Sequence, residues 1–379
     1  MIAYLTLTLF GSSLTLLACS TKSDSGEDFT LEESEYDGAT FIVDCNAIKA
    51  HFVTESTPSV DDWTGYWQCF QEYNGCEGTG CSWNIDELDD YVVSERCADA
   101  GSCTIEGQTV QECETVSNTG SVTFDCSVEG EMTIIANGLP DHTFENYAQS
   151  GELPPLLGST ASNTEYTFPT APIYNGDSDL FVVGGGTIAV GVNGVSIFNQ
   201  FTGIGTVAVE DEIVDDCGGH PANGTYHYHA FPICGELATP ERIGTEGSHS
   251  GLVGVSLDGF PIFGPFGYSE ATDNGSTVTL MESCYAQTAC NDSSDSSCYV
   301  FDDTAYESGN CHLDKCNGRI TAVPESLQTA LGNEIYAYYM TVDSNGAPAF
   351  PYQPYCYRGD AGDSGSSGPQ DGPPSGPPN

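Results

Sequence analysis

The sequence DCGGHPANGTYHYH occupies residues 216–229, and Cys234 follows it closely. These residues hold three of the seven histidines of the chain, and the last four alternate tyrosine with histidine. Side chains of a β-strand point to opposite faces in turn, so both histidines of the alternating segment share one face and both tyrosines share the other. Asparagine and glycine in the middle of the stretch mark a turn. The stretch therefore predicts a disulfide-tied hairpin that presents a histidine cluster.

Beyond this hairpin, the chain from residue 121 onward is a succession of short β-type segments divided by glycine turns. Residues 187–198 and 251–264 each predict two strands around a tight Asn-Gly or Asp-Gly turn. Helical periodicity is scarce in this part of the chain. We therefore predict a mainly β domain over residues 121–358, either an antiparallel sandwich or a barrel-like fold. Further strands are predicted at residues 121–128, 132–136 and 335–342.

Cysteine is the second informative residue type, with 17 in a chain of 379 residues. With Cys19 set aside, the others divide into eight within residues 45–126 and eight within residues 217–356. Even counts in both sets predict up to eight disulfides in an oxidising compartment, and they disfavour thiolate metal ligands and a cysteine nucleophile. Residues 39–120 predict a small disulfide-rich N-terminal module, with one short helix at residues 86–96.

The first 18 residues form an uncharged and largely apolar run that predicts a signal peptide. The run ends in Leu-Leu-Ala-Cys-Ser at residues 16–20, which is similar to a bacterial lipobox with Cys19 as the acylated residue, although no lysine or arginine precedes it. An ordinary secretory signal is the alternative. Both predict export, as an outer-membrane lipoprotein or as a protein of the periplasm or cell surface. Residues 19–38 predict a flexible tether and residues 359–379 a disordered tail.

The charge of the chain restricts its partners. Seven basic residues stand against 55 acidic ones, which gives a net charge of −48. Nucleic acid and anionic membrane surfaces require clustered cations, so we predict no nucleic-acid partner and membrane contact only through the lipid anchor. Such acidity suits solvation in a salty setting or weak calcium binding, and the sequence has no EF-hand spacing, which favours solvation.

The His-x-His spacing of the alternating strand suits a metal ion. Two imidazoles on one face can share a cation, and neutral imidazole nitrogen favours zinc or copper. A third ligand must come from elsewhere, and the histidines beside turns or glycines are the candidates. The predicted metal ligands are His220, His227, His229, His249 and His142.

Carboxylates near these histidines are candidates for a general base. Asp258 and Glu236 are the catalytic candidates, and the catalytic residues stay otherwise unassigned. The competing interpretation is structural. Tyrosine and histidine alternate well on half-buried sheet faces, and a histidine cluster can be a satisfied hydrogen-bond network.

The chain resembles the YHYH domain family, named for the tetrapeptide that stands here at residues 226–229. The resemblance covers residues 121–358 and leaves out the cysteine-rich module. Lys315 and the pair Ser250-Gly251 depart from the family pattern, and neither departure alters a histidine. The resemblance implies an exported, mostly β domain and the location of a site, with no reaction attached. Further matching segments are residues 137–142, 193–195, 217–221, 249–254, 257–265, 313–318 and 350–352.

Two functional hypotheses follow. The leading one is an exported lipoprotein whose β domain holds a histidine-based metal site, at which a metal-bound water could support hydrolysis. The alternative is a non-enzymatic binding or adhesion protein of the cell envelope. In that alternative the histidines are structural, and the cysteine-rich module or an aromatic surface recognises envelope glycans or peptides.

Overall fold

The computed structural model describes most of the predicted β domain and a short segment that precedes it. The predicted signal peptide, Cys19, the tether and the helix at residues 86–96 lie outside the described residues, as do most of the cysteine-rich module and the tail beyond residue 361. Within the described part, no helix is long and apolar enough to cross a membrane. The described residues are 36–53, 103–105, 108–110, 120–142, 164–176, 181–183, 185–201, 207–211, 214, 217–222, 225–287, 299–301 and 311–361.

Short strands dominate the described chain, and each helix is only about one turn long. The helices are α1 (Cys45–Ile48), α2 (Ala208–Asp211), α3 (Pro240–Ile243) and α4 (Gln328–Leu331). The strands are β1 (Cys103–Ile105), β2 (Gln108–Val110), β3 (Val122–Asp125), β4 (Glu131–Ala136), β5 (Thr164–Pro169), β6 (Phe181–Val182), β7 (Thr187–Gly191), β8 (Ser196–Phe198), β9 (Gly219–Ala222), β10 (Thr225–Tyr228), β11 (Leu252–Ser256), β12 (Pro261–Phe263), β13 (Phe266–Tyr268), β14 (Val278–Leu280), β15 (Tyr285–Gln287), β16 (Tyr299–Phe301), β17 (Gly318–Ala322), β18 (Glu334–Tyr339) and β19 (Cys356–Tyr357).

One eight-stranded sheet organises the domain, in the order β17-β18-β12-β11-β7-β8-β10-β9. Its pairs are antiparallel except for β12 with β18 and β8 with β10, which are parallel. Strands β7 and β8, like β11 and β12, form the hairpins predicted around the Asn-Gly and Asp-Gly turns. The described strands form no closed barrel, and the mainly β, sandwich-like prediction is confirmed.

A second, three-stranded sheet of β3, β4 and β5 shares the core of the large one. In β4 the alternate residues Met132, Ile134 and Ala136 are buried, because one face of an antiparallel strand packs on the core while the other faces solvent. Residues 36–53 join the same core through side chains that include Ile48 and Phe52.

The disulfides confirm the predicted bridging of cysteines. Each described bridge joins two cysteines of the same predicted set of eight. Cys45–Cys126 ties the N-terminal segment to the end of β3, and the other three bridges lie within the second set. They are Cys217–Cys234, Cys284–Cys311 and Cys316–Cys356.

Candidate functional site

The hairpin of β9 and β10 sets the histidines beside each other. In its antiparallel register His220 lies directly opposite His227, and directly opposed residues of a strand pair project from the same face. His229 follows one residue after β10 ends. On its other edge β10 runs parallel to β8, where Ser196 lies opposite His227. The predicted hairpin is present, and its register brings a third imidazole to the pair on the strand.

The three imidazoles form a compact, buried group. Ring centroids lie 4.7 Å apart for His220 and His227, 5.2 Å for His220 and His229, and 4.8 Å for His227 and His229. One ring nitrogen from each residue lies within 4.8 Å of the others. Exposure is 3% for His220 and 2% for each of the other two. The structure thus joins three of the five predicted ligands, and we call them the histidine group.

Hydrogen bonds fix how two of these rings are held. Nδ1 of His229 lies 2.8 Å from the carbonyl oxygen of Asn199 and therefore carries the proton that it donates. In a neutral ring this leaves the lone pair on Nε2, which lies 3.0 Å from Nε2 of His227. His227 stacks on Phe198 with ring centroids 3.7 Å apart. A carbonyl that holds the far nitrogen of an imidazole is the arrangement that orients a histidine ligand.

The geometry of the histidine group fits a transition-metal ion. Zinc binds imidazole nitrogen at about 2.0–2.1 Å, so two such ligands of a tetrahedral ion lie about 3.3 Å apart. The 3.0 Å separation in the histidine group and its upper bound of 4.8 Å bracket that value. Small ring rotations would bring all three nitrogens to one ion. The ligands are imidazoles, which zinc and copper accept and calcium does not favour. The buried histidine group could therefore hold a metal ion.

His142 lies with the tyrosines on the opposite face of β10. Its Nε2 is 2.7 Å from the hydroxyl of Tyr228, which also accepts a hydrogen bond from Nδ2 of Asn193 at 3.0 Å. Tyr226 and Tyr228 are 2% and 0% exposed, so they pack in the core as the strand alternation requires. The structure therefore places His142 outside the histidine group.

A second set of potential ligand atoms comprises His142, Cys217 and Cys234, again within 4.8 Å of one another. The two cysteines are joined as a disulfide. Metal binding by cysteine requires thiolate sulfur, which a disulfide does not supply. While the bridge is intact, this set therefore offers only the imidazole of His142 to a metal ion.

His249 occupies a different cluster. Its ring lies 4.7 Å from that of Tyr268 and 5.1 Å from that of Phe263. Burial and the nearby Arg319 charge together lower the pKa of His249 to about 4, although the hydrogen bond to the Ser250 carbonyl opposes them. Nδ1 donates to that carbonyl at 2.6 Å, so His249 is neutral near pH 7 with its proton on Nδ1.

The two candidate carboxylates lie apart from the histidine group. Glu236 is exposed in a short 3₁₀ turn, where its backbone N–H donates to Asp141. Asp258 is fully buried in the β11–β12 turn and accepts hydrogen bonds from the Tyr338 hydroxyl at 2.6 Å and the Gly359 N–H at 3.0 Å. Through these contacts Asp258 links the β11–β12 turn to Tyr338 and to the backbone at residue 359.

Asp258 should make the stability of the fold depend on pH. Burial raises the pKa of Asp258, against opposing hydrogen bonds. Its stabilising contribution is therefore complete below the unfolded pKa of about 3.9 and is lost as pH rises through the folded value. Asparagine is neutral throughout, so the stability of Asp258→Asn relative to wild type should increase as pH rises from about 4. Urea unfolding of both proteins across this range tests the trend, and a constant difference would contradict it.

Sequence reasoning did not identify Phe198 and Asn199 as part of the site. They lie at the end of β8 and reach the histidines because β8 pairs in parallel with β10. The sequence carries no local signal for such a long-range pairing.

Comparisons with known proteins place the chain in a family. No curated protein and no solved structure matches it. The family model described as YHYH protein matches residues 165–359, which is more than half of the 379 residues. The match includes the histidine group, its hairpin and the whole eight-stranded sheet. The chain therefore belongs to the YHYH protein family.

Proposed function

We propose that this protein is an exported metal-binding protein in which His220, His227 and His229 hold one zinc or copper ion. The observation that carries the proposal is the convergence of one nitrogen from each ring within 4.8 Å. Export is supported by the disulfides, which persist in oxidising compartments. Anchoring by a lipid on Cys19, at the outer membrane, completes the proposal and rests on the sequence of residues 16–20.

Burial supports an ion over a purely structural cluster. Three imidazoles with 2–3% exposure are shielded from water, and a low local dielectric strengthens the attraction between an ion and the ring nitrogens. The pair of Nε2 atoms in His227 and His229 can share only one proton in a hydrogen bond. An ion would bind the lone pairs of both nitrogens and that of His220 at once.

Metal-dependent hydrolysis is the second candidate. Three protein ligands leave the fourth tetrahedral position to a water molecule, which is the ligand count of catalytic zinc sites. A bound ion would acidify that water. Within the chain, Asn199 would keep His229 in the ligating tautomer, and Phe198 would exclude water from one side of His227. If water and a substrate can reach an ion in the buried group, the site can support hydrolysis. If they cannot, the site only binds the ion.

Metal stoichiometry tests the proposal. The full chain with Cys19→Ser, stripped with a chelator and reloaded separately with zinc or copper, should retain about one ion after dialysis. Ion at a hundredfold excess over its dissociation constant should stabilise the fold by about 2.7 kcal/mol. His227→Ala with His229→Ala should abolish both effects.

The control is His312→Ala, which removes a partly exposed imidazole outside the histidine group. It should leave the metal content unchanged. A folded wild-type chain that retains neither zinc nor copper would contradict the proposal and would favour an envelope-binding protein with structural histidines. Hydrolysis is tested separately, with model ester and peptide substrates on the loaded chain and the double variant.

A further inference from the structure

The eight-stranded sheet has an equivalent arrangement of strands when it is followed from either edge. From one edge the order is β9, β10, β8, β7, and from the other it is β17, β18, β12, β11, with β7 and β11 paired at the centre. The parallel pair occupies the same place in each half. The two central hairpins turn at Asn193-Gly194 and Asp258-Gly259, and both then continue into Ile-Phe. The sheet is an internal repeat of two four-stranded units.

The registers of the two units agree residue by residue. In the first unit Tyr228 lies opposite Gly219 on one side and Ile197 on the other. In the second unit Tyr338 lies opposite Gly318 and Ile262 in the same way. Both tyrosine hydroxyls bond to the side chain of the central turn, Asn193 in the first unit and Asp258 in the second.

The equivalence of the two units identifies the residues of the second unit that correspond to the histidine group. Cys-Gly-Gly-His at residues 217–220 corresponds to Cys-Asn-Gly-Arg at residues 316–319. Because β9 pairs with β10 as β17 pairs with β18, the same correspondence extends to residues of β10 and β18. The counterparts of His220, His227 and His229 are Arg319, Ala337 and Tyr339.

Ala337 has no ring in the position that His227 occupies in the first unit, and His249 supplies a ring there instead. In the first unit Phe198 contacts His227 at 3.7 Å and His229 at 6.0 Å between ring centroids. In the second unit the equivalent Phe263 contacts His249 at 5.1 Å and Tyr339 at 5.8 Å. His249 thus contacts Phe263 edge to face, whereas His227 stacks on Phe198, and His249 comes from a loop. Both positions combine one phenylalanine with a group of polar rings.

The two positions differ in charge. Arg319 is 4% exposed, and its guanidinium lies 5.7 Å from the ring centroid of Tyr339. Nη2 donates to the carbonyl oxygen of Tyr268, and Nε has no acceptor within the described residues. By contrast, the buried Arg358 is paired with Asp314 at 2.6 Å. A chain with 55 acidic residues places none of its described carboxylates in a salt bridge with Arg319.

We propose that Arg319, with His249, Tyr268 and Tyr339, forms a binding site for a small oxyanion or for the carboxylate or phosphate group of a larger ligand. Nε and the second N–H of Nη2 form the fork that binds such groups in a bidentate manner. The hydroxyl of Tyr339 lies 3.3 Å from Nε2 of His249, and its ring lies beside the guanidinium. Because His249 is neutral near pH 7, Arg319 supplies the charge of the site. The repeat thus pairs a cation position with an anion position.

Equilibrium dialysis of the full chain carrying Cys19→Ser, against labelled inorganic phosphate and separately against labelled acetate, tests the site. The wild-type chain should bind one anion per molecule. The anion with the lower dissociation constant identifies the preferred group. Arg319→Gln should weaken binding about tenfold or more, since hydrogen bonds to a charged group contribute about 1.5–3 kcal/mol. Arg319→Lys retains the charge without the fork and should weaken binding less than Arg319→Gln.

Lys49→Gln is the matched control, because it removes one positive charge from an exposed position. It should leave anion binding unchanged. Near-ultraviolet circular dichroism reports whether each variant keeps its packed aromatic core. If Arg319→Gln is unfolded, Arg319→Lys provides the second variant and should weaken binding severalfold, because it lacks the guanidinium fork. No saturable binding of either anion by the wild type up to about 10 mM would overturn the proposal. Unchanged binding in the folded Arg319→Gln variant would also overturn it.

Discussion

Arg358→Met is expected to lower the free energy of unfolding by about 3–5 kcal/mol. Arg358 is fully buried, and its Nε and Nη2 lie 2.7 Å and 2.6 Å from Oδ2 of Asp314, which is 4% exposed. Methionine would leave the charge of Asp314 in the interior without its cation. The uncompensated buried carboxylate, more than the lost contact itself, causes the loss.

The remaining partners of Asp314 cannot replace the guanidinium. Asp314 accepts hydrogen bonds from the backbone N–H groups of Cys316 and Gly318 at 2.9 Å and 3.0 Å, and from the Tyr336 hydroxyl at 3.1 Å. Burial and the nearby Asp314 charge raise the pKa of Tyr336 well above its usual value, so its hydroxyl stays a donor. These neutral donors orient the carboxylate but leave its charge uncompensated.

A double variant separates the charge from the packing. Arg358→Met combined with Asp314→Asn removes both charges and should be more stable than Arg358→Met alone. Urea unfolding at pH 7, followed by circular dichroism, measures both variants. A single variant within about 1 kcal/mol of the wild type would contradict the expected cost of the unpaired carboxylate. A double variant no more stable than the single one would assign the loss to packing.

The local part of the site was predictable from the sequence. Alternation over residues 226–229 determined which side chains share a face, and the turn before them predicted the hairpin. Pairing across that hairpin then sets His220 opposite His227. These features follow from periods of two residues and from turn chemistry, which act over a few residues.

The long-range part was not predictable in the same way. His142 and His249 resemble the other candidates in sequence, since both lie near turns or glycines. The structure places His142 beside the hydroxyl of Tyr228 and His249 beside Phe263. Which face a distant loop reaches depends on the parallel pairs of the sheet, and turn residues do not encode those pairs. Sequence pattern therefore named the three histidines that converge, together with two that lie elsewhere.

Gly219→Ala is expected to lower the stability of the fold by about 3 kcal/mol and to weaken metal retention without altering a ligand. A Cβ at Gly219 would lie 2.5 Å from the backbone oxygen of His227 and 2.7 Å from the hydroxyl oxygen of Tyr226. The backbone oxygen cannot rotate away, so β9 and β10 would have to separate. Their separation would displace His220 from His227, because the two strands carry one ligand each.

Gly247→Ala is the matched control, since a Cβ there would meet no atom within 4 Å. Its unfolding free energy should stay within about 0.5 kcal/mol of the wild type, with unchanged metal content. Urea unfolding and elemental analysis of both variants measure the two effects together. If Gly219→Ala loses stability but retains one ion per chain, the spacing of β9 and β10 is not what positions the ligands. If both quantities fall only in Gly219→Ala, the close approach that glycine permits holds the histidine group together.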